Sequence, residues 1–456
     1  MKPSLEDPVV AAGSEVVGGP LGRHVRTGRS WWTPLRVLLA LTFLVSALGL
    51  VQKGWCRDNG WAAPGVYTHG CYSDIPPLFF GRGLADGEVP YIGQEGDRTV
   101  EYPVLTGAAM WLTAQLVPGA GSADAAERSL WYFDINALAL AVWAGIAVAV
   151  TALTSRRRPW DAALVALAPM LALAGTINWD LWAVGLLSLA MLAWARSRLL
   201  LAGVLIGLAA ATKFYPLFLL GPLLVLCWRT GRMREFTATL AAAFGAWAAV
   251  NVPVLLADFD GWLRFYELSR ERGAGFGSIW FVLSQQGRGV PEDLLNPLAG
   301  GLFAASCVAI GVLGLRARVR PRVPQLMFLV VAAFVLTNKV YSPQYVLWLL
   351  PLAALARPRW RDHLIWQAGE VIHFFGTWWL IAGYPPGDPS RALGEDGYGV
   401  TVLAHVLGTL WLVAIVVRDI LRPEHDPVRS SPADEDDPSG GVVNAPRVVA
   451  SSTDPR

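Results

Sequence analysis

Residues Ala210–Leu220, AATKFYPLFLL, place one lysine inside an otherwise apolar run. The chain has only four lysines against thirty-three arginines, so lysine is a rare choice of cation here. A second lysine stands in a similar stretch, TNKVYSPQY, at Thr337–Tyr345. Because a lysine at the centre of a membrane helix costs on the order of 2.5–3.5 kcal/mol, both positions need a physical reason.

The composition around these lysines is that of a membrane protein. Of 456 residues, 54% are hydrophobic and 16% are charged, whereas a soluble domain carries roughly 25% charged residues. Apolar stretches of about 14–23 residues alternate with short arginine clusters, which is typical of polytopic helical membrane proteins. The net charge of +2 leaves no basic surface of the kind that binds nucleic acid. The sequence therefore predicts an all-α integral membrane protein.

The arginine clusters indicate which loops face the cytoplasm. They lie at 23–36, 156–158, 196–198, 229–234, 316–322, 357–361 and 418–422, and the positive-inside rule places all of them on one side. The chain must then cross the membrane an even number of times between neighbouring clusters. This predicts three hairpins, 160–175 with 179–195, 199–211 with 214–228, and 323–338 with 343–356. The other predicted spans are 35–52, 131–153, 235–257, 298–315, 362–382 and 399–417.

These assignments predict about twelve transmembrane helices in the plasma membrane, with both termini cytoplasmic. The membrane domain covers 35–417, and its long outer loops, 53–130 and 258–296, carry short surface helices, one of them at 103–118. Residues 1–34 are expected to form a disordered cytoplasmic segment. The Pro-, Ser- and Asp-rich tail at 418–456 is also expected to be disordered.

The polar residues of the hairpins fall at their outward ends. They are Asn178, Asp180, Lys213, Tyr215, Asn338, Lys339 and Gln344. The helices leading to them have roughly 13–17 residues, short of the ~20 that span a bilayer, so these ends are expected to surround a cavity open to the outside. An ammonium group in such a cavity suits an anion such as phosphate. The alternative is that both lysines reach outward to lipid head groups.

The first outer loop contains candidates for catalysis. Asp74 is the acid that we expect to act as a general base beside the cationic cavity, and Glu101 is the second candidate. Cys56 and Cys71 lie in the same loop and form either a disulfide or two free thiols.

Two further groups of polar residues are candidates for a functional role. His373 lies one helical turn after Glu370. The two residues form either a functional acid–histidine pair or a structural pair. Asp86 and Glu88 are possible metal ligands, but nothing else resembles a ligand cluster, so no metal is expected.

Five motifs in order along the chain resemble glycosyltransferase family 87. They are YSDIPPLF (72–79), EYPVLTG (101–107), ATKFYP (211–216), TNKVYSPQYVLWLLPL (337–352) and VIHFFGTWW (371–379). The resemblance covers about 35–417 and implies a GT-C type, polyprenol-phosphate-mannose-dependent mannosyltransferase. It also implies that Asp74 is the catalytic base, that Lys213 and Lys339 lie near the donor phosphate, and that His373 lies near a sugar.

The residues and the resemblance together predict a membrane glycosyltransferase. It would move a sugar, mannose by the resemblance, from a polyprenyl-phosphate donor to an envelope glycolipid or glycan on the outer leaflet, with inversion. The expected partners are membrane lipids and these two substrates, and no cofactor is expected. The alternative is a transporter or flippase for a lipid-linked sugar, since many helices with buried charges also describe transporters.

Overall fold

The computed structural model describes residues 9, 32–94, 96–119, 124–385, 387, 390, 392–429 and 437–444. These residues form helices and connecting loops, and no strand occurs among them. Of the predicted N-terminal segment 1–34, only residues 9 and 32–34 are described, so its predicted disorder falls outside the described residues.

The α-helices are numbered here in chain order. The first nine are α1 (Pro34–Gln52), α2 (Gly54–Asp58), α3 (Gly65–Thr68), α4 (Ile75–Gly81), α5 (Val104–Ala114), α6 (Ala125–Thr154), α7 (Ala163–Ala166), α8 (Pro169–Ala174) and α9 (Asp180–Ala195). They are followed by α10 (Leu199–Thr212), α11 (Leu220–Thr230), α12 (Met233–Ala257), α13 (Phe259–Glu271), α14 (Ile279–Gln285), α15 (Glu292–Arg316), α16 (Val323–Thr337), α17 (Val346–Ala356), α18 (Trp360–Ile381) and α19 (Glu395–Leu421). Short 3-10 turns lie at Leu84–Asp86, Gly96–Arg98, Pro159–Ala162, Tyr215–Leu219, Pro343–Tyr345, Pro423–His425 and Gly441–Val443.

Five of the described helices are long and apolar enough to cross a membrane. They are α1, α6, α12, α15 and α19, and the chain is therefore a membrane-embedded protein. Each of the twelve predicted spans is helical in the structure, although the predicted span 160–175 is broken into three short pieces. The count of twelve crossings remains a prediction.

The hairpin that contains Lys213 follows the local sequence closely. Helix α10 ends at Thr212, and Lys213 adopts an extended backbone. Pro216 then begins a 3-10 turn, where its missing N–H costs nothing. Two glycines let α10 pack closely on α12, because a Cβ at Gly203 or Gly207 would come within 2.3 Å of a backbone oxygen of α12. The returning chain continues as α11.

The arginine loops share one end of the helix bundle. Arg158 donates to the carbonyl of Pro427 at 2.5 Å, Arg357 donates to that of His425 at 2.9 Å, and Arg320 contacts Asn444 at 2.9 Å. The helices that leave these loops end at the lysine-bearing apices. The arginines of these loops thus meet the tail segments at one end of the bundle, whereas Arg272 lies with Lys339 in the wall of the cavity.

The predicted disorder of the tail at 418–456 is wrong for its described part. Residues 418–421 complete α19, and the segments 422–429 and 437–444 pack against the arginine loops. Asp426 is fully buried and pairs with Arg322 at 2.8 Å, and Asp437 accepts from the backbone N–H of Val323 at 3.1 Å. The composition of the tail does not show that these acids are paired, because their partners lie about one hundred residues earlier.

Replacing Asp426 with alanine is expected to destabilise the protein. It would leave the Arg322 guanidinium buried without its carboxylate, a change that costs about 3–5 kcal/mol at such pairs. The measurement is the melting temperature in detergent, which should fall by several degrees. Glu424→Ala, two residues away and exposed, is the matched control. Equal melting temperatures for the two variants would contradict this account of the tail.

Candidate active site

One cavity of about 990 Å³ lies at the lysine end of the bundle. The predicted site residues that line it are Asp74, Glu101, Asn178, Lys213, Tyr215, Asn338, Lys339 and Gln344. Loops and helix ends that are more than 250 residues apart in sequence thus meet at one place. Two predicted residues, Asp180 and His373, are not part of the cavity wall.

Asp74 is held by two tyrosines. Tyr72 donates its hydroxyl to Oδ1 at 2.7 Å, and Tyr102 donates its hydroxyl to Oδ2 at 3.2 Å. The backbone N–H of Asp74 donates to the carbonyl of Ile177 at 2.7 Å. Withdrawal from water raises the pKa of the Asp74 carboxyl above its ordinary value, and the two phenols oppose this rise. Asp74 is thus a positioned carboxylate with a pKa closer to neutral than that of a solvated aspartate.

The chain around Asp74 is fixed from both sides. Cys56 and Cys71 are joined in a disulfide, and Ser73 donates to the carbonyl of Thr176 at 2.7 Å. Asp74 precedes α4, whose first turn contains Pro76 and therefore lacks an N–H where none is needed. These bonds attach the outer loop to the apex of the neighbouring hairpin.

Lys213 forms a buried ion pair. Its Nζ lies 2.8 Å from Oδ1 of Asp180, and its side chain is 15% exposed. The second oxygen of Asp180 accepts from the indole N–H of Trp348 at 2.8 Å. Asp180, predicted at the outward end of a hairpin, thus has a protein partner on each oxygen, and its side chain is 1% exposed. Lys213 also lies 5.0 Å from the ring centroid of Tyr102.

Lys339 has a different partner. Its Nζ donates to the backbone carbonyl of Arg270 at 2.8 Å and so binds the last turn of α13. Within the described part of the chain, Lys339 forms no ion pair with a carboxylate. Burial lowers the pKa of Lys339, and the neighbouring guanidinium of Arg272 lowers it further. Arg272 is exposed and lines the same cavity, so two cations lie on this wall.

The model of glycosyltransferase family 87 matches residues 102–338, which is more than half of the chain. The chain belongs to glycosyltransferase family 87. It is a membrane glycosyltransferase. A search of curated proteins finds no match. The matched range includes Lys213 and Arg272, whereas Asp74 and Lys339 lie just outside it.

Glu101, the second candidate base of the transferase, is already paired. Arg82 donates its Nε to Oε2 at 2.5 Å and its Nη2 to Oε1 at 2.9 Å. Both oxygens of Glu101 are therefore held by one guanidinium in a bidentate pair. Asp74 is the carboxylate in this wall that contacts only neutral hydroxyls.

Aromatic rings form the floor beneath Lys213. The indole of Trp348 stacks on Tyr215 with ring centroids 4.4 Å apart and on Tyr345 with centroids 4.0 Å apart. The hydroxyl of Tyr215 is buried and has no hydrogen-bond partner in the described structure. Tyr215 thus offers one unsatisfied donor next to the lysine that precedes it by two residues.

His373 is not where the sequence predicts it. The side chain is completely buried, and its Nε2 lies 3.4 Å from the hydroxyl of Thr377. Tyr341, which lines the cavity, packs against its ring at 5.4 Å. Glu370 does not pair with His373, because it accepts from Tyr341 at 2.7 Å and from the indole of Trp366 at 3.0 Å. One helical turn of spacing did not decide the pairing, since Tyr341 of a loop, Trp366 of the same helix and Thr409 of α19 donate to the carboxylate.

Sequence reasoning did not single out Tyr72, Tyr102 and Trp348, which also line the cavity. Tyr72 and Tyr102 stand beside the candidate acids in the motifs YSD and EYP, so this adjacency was an available signal. No signal in the sequence connects Trp348 to Asp180, because 168 residues separate them.

Replacing Tyr72 with phenylalanine is expected to move the acid limb of the activity–pH profile upward by about one pH unit. The Tyr72 hydroxyl stabilises ionised Asp74, so its loss raises the pKa further, and the base is then protonated at a higher pH. Sugar transfer measured across pH tests this. The control is Tyr384→Phe, since Tyr384 is exposed and does not line the cavity. Identical profiles for the two variants would show that the Tyr72 hydrogen bond does not tune the base.

Proposed function

We propose that this glycosyltransferase moves a sugar, mannose, from a polyprenyl-phosphate donor to a hydroxyl of an envelope glycolipid or glycan on the outer leaflet of the plasma membrane. The observation that carries the proposal is the single cavity that contains Asp74 together with Lys213, Lys339 and Arg272. A base and a cationic wall in one cavity are what transfer from a phosphate leaving group requires. The proposal includes no cofactor beyond the lipid-linked co-substrate.

Asp74 acts as the general base. Its carboxylate accepts the proton of the acceptor hydroxyl while that oxygen forms a bond to the anomeric carbon of the donor sugar. The bond from this carbon to the phosphate oxygen breaks, and polyprenyl phosphate leaves with the electron pair. Attack opposite the leaving group inverts the configuration of the anomeric carbon. Asn178, Asn338 and Gln344, which line the cavity, are the proposed partners of sugar or acceptor hydroxyls.

The donor phosphate is proposed to lie against Lys339 and Arg272. The charge of Lys213 is balanced by Asp180, whereas Lys339 has only a backbone carbonyl as its hydrogen-bond partner. A compact ammonium and a guanidinium together match the charge of a phosphate that gains negative charge as it leaves. Lys213 and the free hydroxyl of Tyr215 complete the phosphate side of the cavity.

Helix α13 supports a donor that arrives from the lipid. Its residues Phe265, Tyr266 and Leu268 line the cavity, and the helix belongs to the predicted outer loop 258–296. An amphipathic helix at the membrane surface can admit a prenyl chain along its apolar side while its polar side stays in water. A soluble nucleotide sugar would have no need of such a wall.

Asp74→Asn is expected to lower sugar transfer by about 10²–10⁴-fold, which is the contribution of a positioned general base. Membranes that contain the protein are supplied with labelled polyprenyl-phosphate mannose and crude acceptor lipid, and labelled product is counted. The matched control is Asp86→Asn in the same loop, since Asp86 is exposed. Movement of intact donor across the membrane without transfer would instead support the flippase. Equal transfer by both variants would rule out Asp74 as the base.

Lys339→Met is expected to raise the KM for the lipid-phosphate donor roughly tenfold, a loss of about 1.4 kcal/mol in binding. The KM for the acceptor should stay unchanged, because the ammonium faces the phosphate and not the acceptor hydroxyl. The control is Lys213→Met, which breaks the pair with Asp180 and should lower the melting temperature as well. A change in acceptor KM alone would contradict the role given to Lys339.

A further inference from the structure

A third lysine, Lys53, is buried against the segment that contains Asp74. It follows the last residue of α1, and its side chain is completely buried. Its Nζ donates to the backbone carbonyl of Tyr72 at 2.9 Å and lies 3.4 Å from that of Leu173. The ring of Phe374 lies 5.9 Å from the ammonium. This lysine has no access to the cavity, so it is not a ligand of either substrate.

Burying the Lys53 ammonium is energetically unfavourable for the fold. Among the described residues it forms no ion pair with a carboxylate, and its partners are neutral carbonyls. Burial lowers the pKa of Lys53 to about 7, because the charged form is poorly solvated there. Replacing buried charges by apolar groups of similar volume is often neutral or stabilising. Stability by itself therefore does not explain an ammonium at this position.

Both carbonyls that Lys53 contacts belong to segments that hold Asp74. The carbonyl that it binds belongs to Tyr72, whose hydroxyl donates to Asp74 at 2.7 Å. Its second carbonyl belongs to Leu173 in α8, which leads into the apex that accepts from the backbone of Asp74 at Ile177. Lys53 thus bridges the two chain segments between which Asp74 is held.

From this arrangement we propose that Lys53 is a positioning residue for the transfer reaction. Its ammonium fixes the backbone at Tyr72 and so keeps the Asp74 carboxylate directed into the cavity. Other ties hold the neighbouring residues, since Gln52 donates to the carbonyl of Gly70, the disulfide ends at Cys71 and Ser73 donates to the carbonyl of Thr176. Lys53 is the side chain that holds the carbonyl of Tyr72. This role rests on the proposed function of Asp74 as the base.

The test compares Lys53→Met with Thr42→Val. Both changes remove a buried polar group, one in α1 and one directly after it, but the Thr42 hydroxyl donates to Leu38 within its own helix. Lys53→Met should lower kcat at least about tenfold, leave the KM for polyprenyl-phosphate mannose within about twofold and leave the melting temperature unchanged or higher. Thr42→Val should keep the wild-type kcat. Lys53→Arg should recover part of the turnover, because the guanidinium retains both the charge and the donors.

Hydrogen exchange gives a readout that needs no activity. The amide of Asp74, which donates to Ile177, should exchange about tenfold faster in Lys53→Met and at the wild-type rate in Thr42→Val. Wild-type turnover and wild-type exchange in Lys53→Met would overturn the proposal, as would loss of thermal stability in every Lys53 variant. If the wild-type protein transfers no sugar from this donor, the proposed function fails, and exchange at Asp74 still decides the role of Lys53.

Discussion

A charge placed among apolar helices is stable only when it has a partner or reaches water, and this constraint organises the cavity end of the transferase. Its three buried lysines satisfy it in three ways. Lys213 pairs with Asp180, Lys339 binds the final turn of α13, and Lys53 binds the carbonyl of Tyr72. Each lysine therefore joins two segments of the chain, and Lys213 and Lys339 line the cavity whereas Lys53 lies outside its wall.

The pair of Lys213 and Asp180 is the central joint. It connects the apex of one hairpin to the start of α9, and the indole of Trp348 adds the third hairpin through the free oxygen of Asp180. Tyr102 extends the network to Asp74, because its ring packs against Lys213 and its hydroxyl donates to the carboxylate. Tyr102 thus links the Asp74 carboxylate to Lys213, so the position of one group limits that of the other.

The guanidinium and ammonium groups of this protein make different contacts. Arg322 donates to Asp426, Leu355 and Ala356 at once, as its planar group allows. The ammonium groups of Lys213 and Lys339 each contact one carboxylate or one carbonyl. Arginine also occurs at the cavity end, where Arg272 lines the wall beside Lys339 and Arg82 binds Glu101.

The sequence by itself determined the helices and the family, because hydropathy, proline positions and ordered motifs are properties of short segments. It also singled out Asp74, Lys213 and Lys339, which the structure brings to one cavity. Only the tertiary structure decided that Asp180 pairs with Lys213, that His373 packs behind Tyr341, that Asp426 of the tail pairs with Arg322 and that Lys53 binds the carbonyl of Tyr72. Each of these contacts depends on which of several possible partners bonds to a buried polar group. The possible partners belong to segments that the sequence does not show to be neighbours.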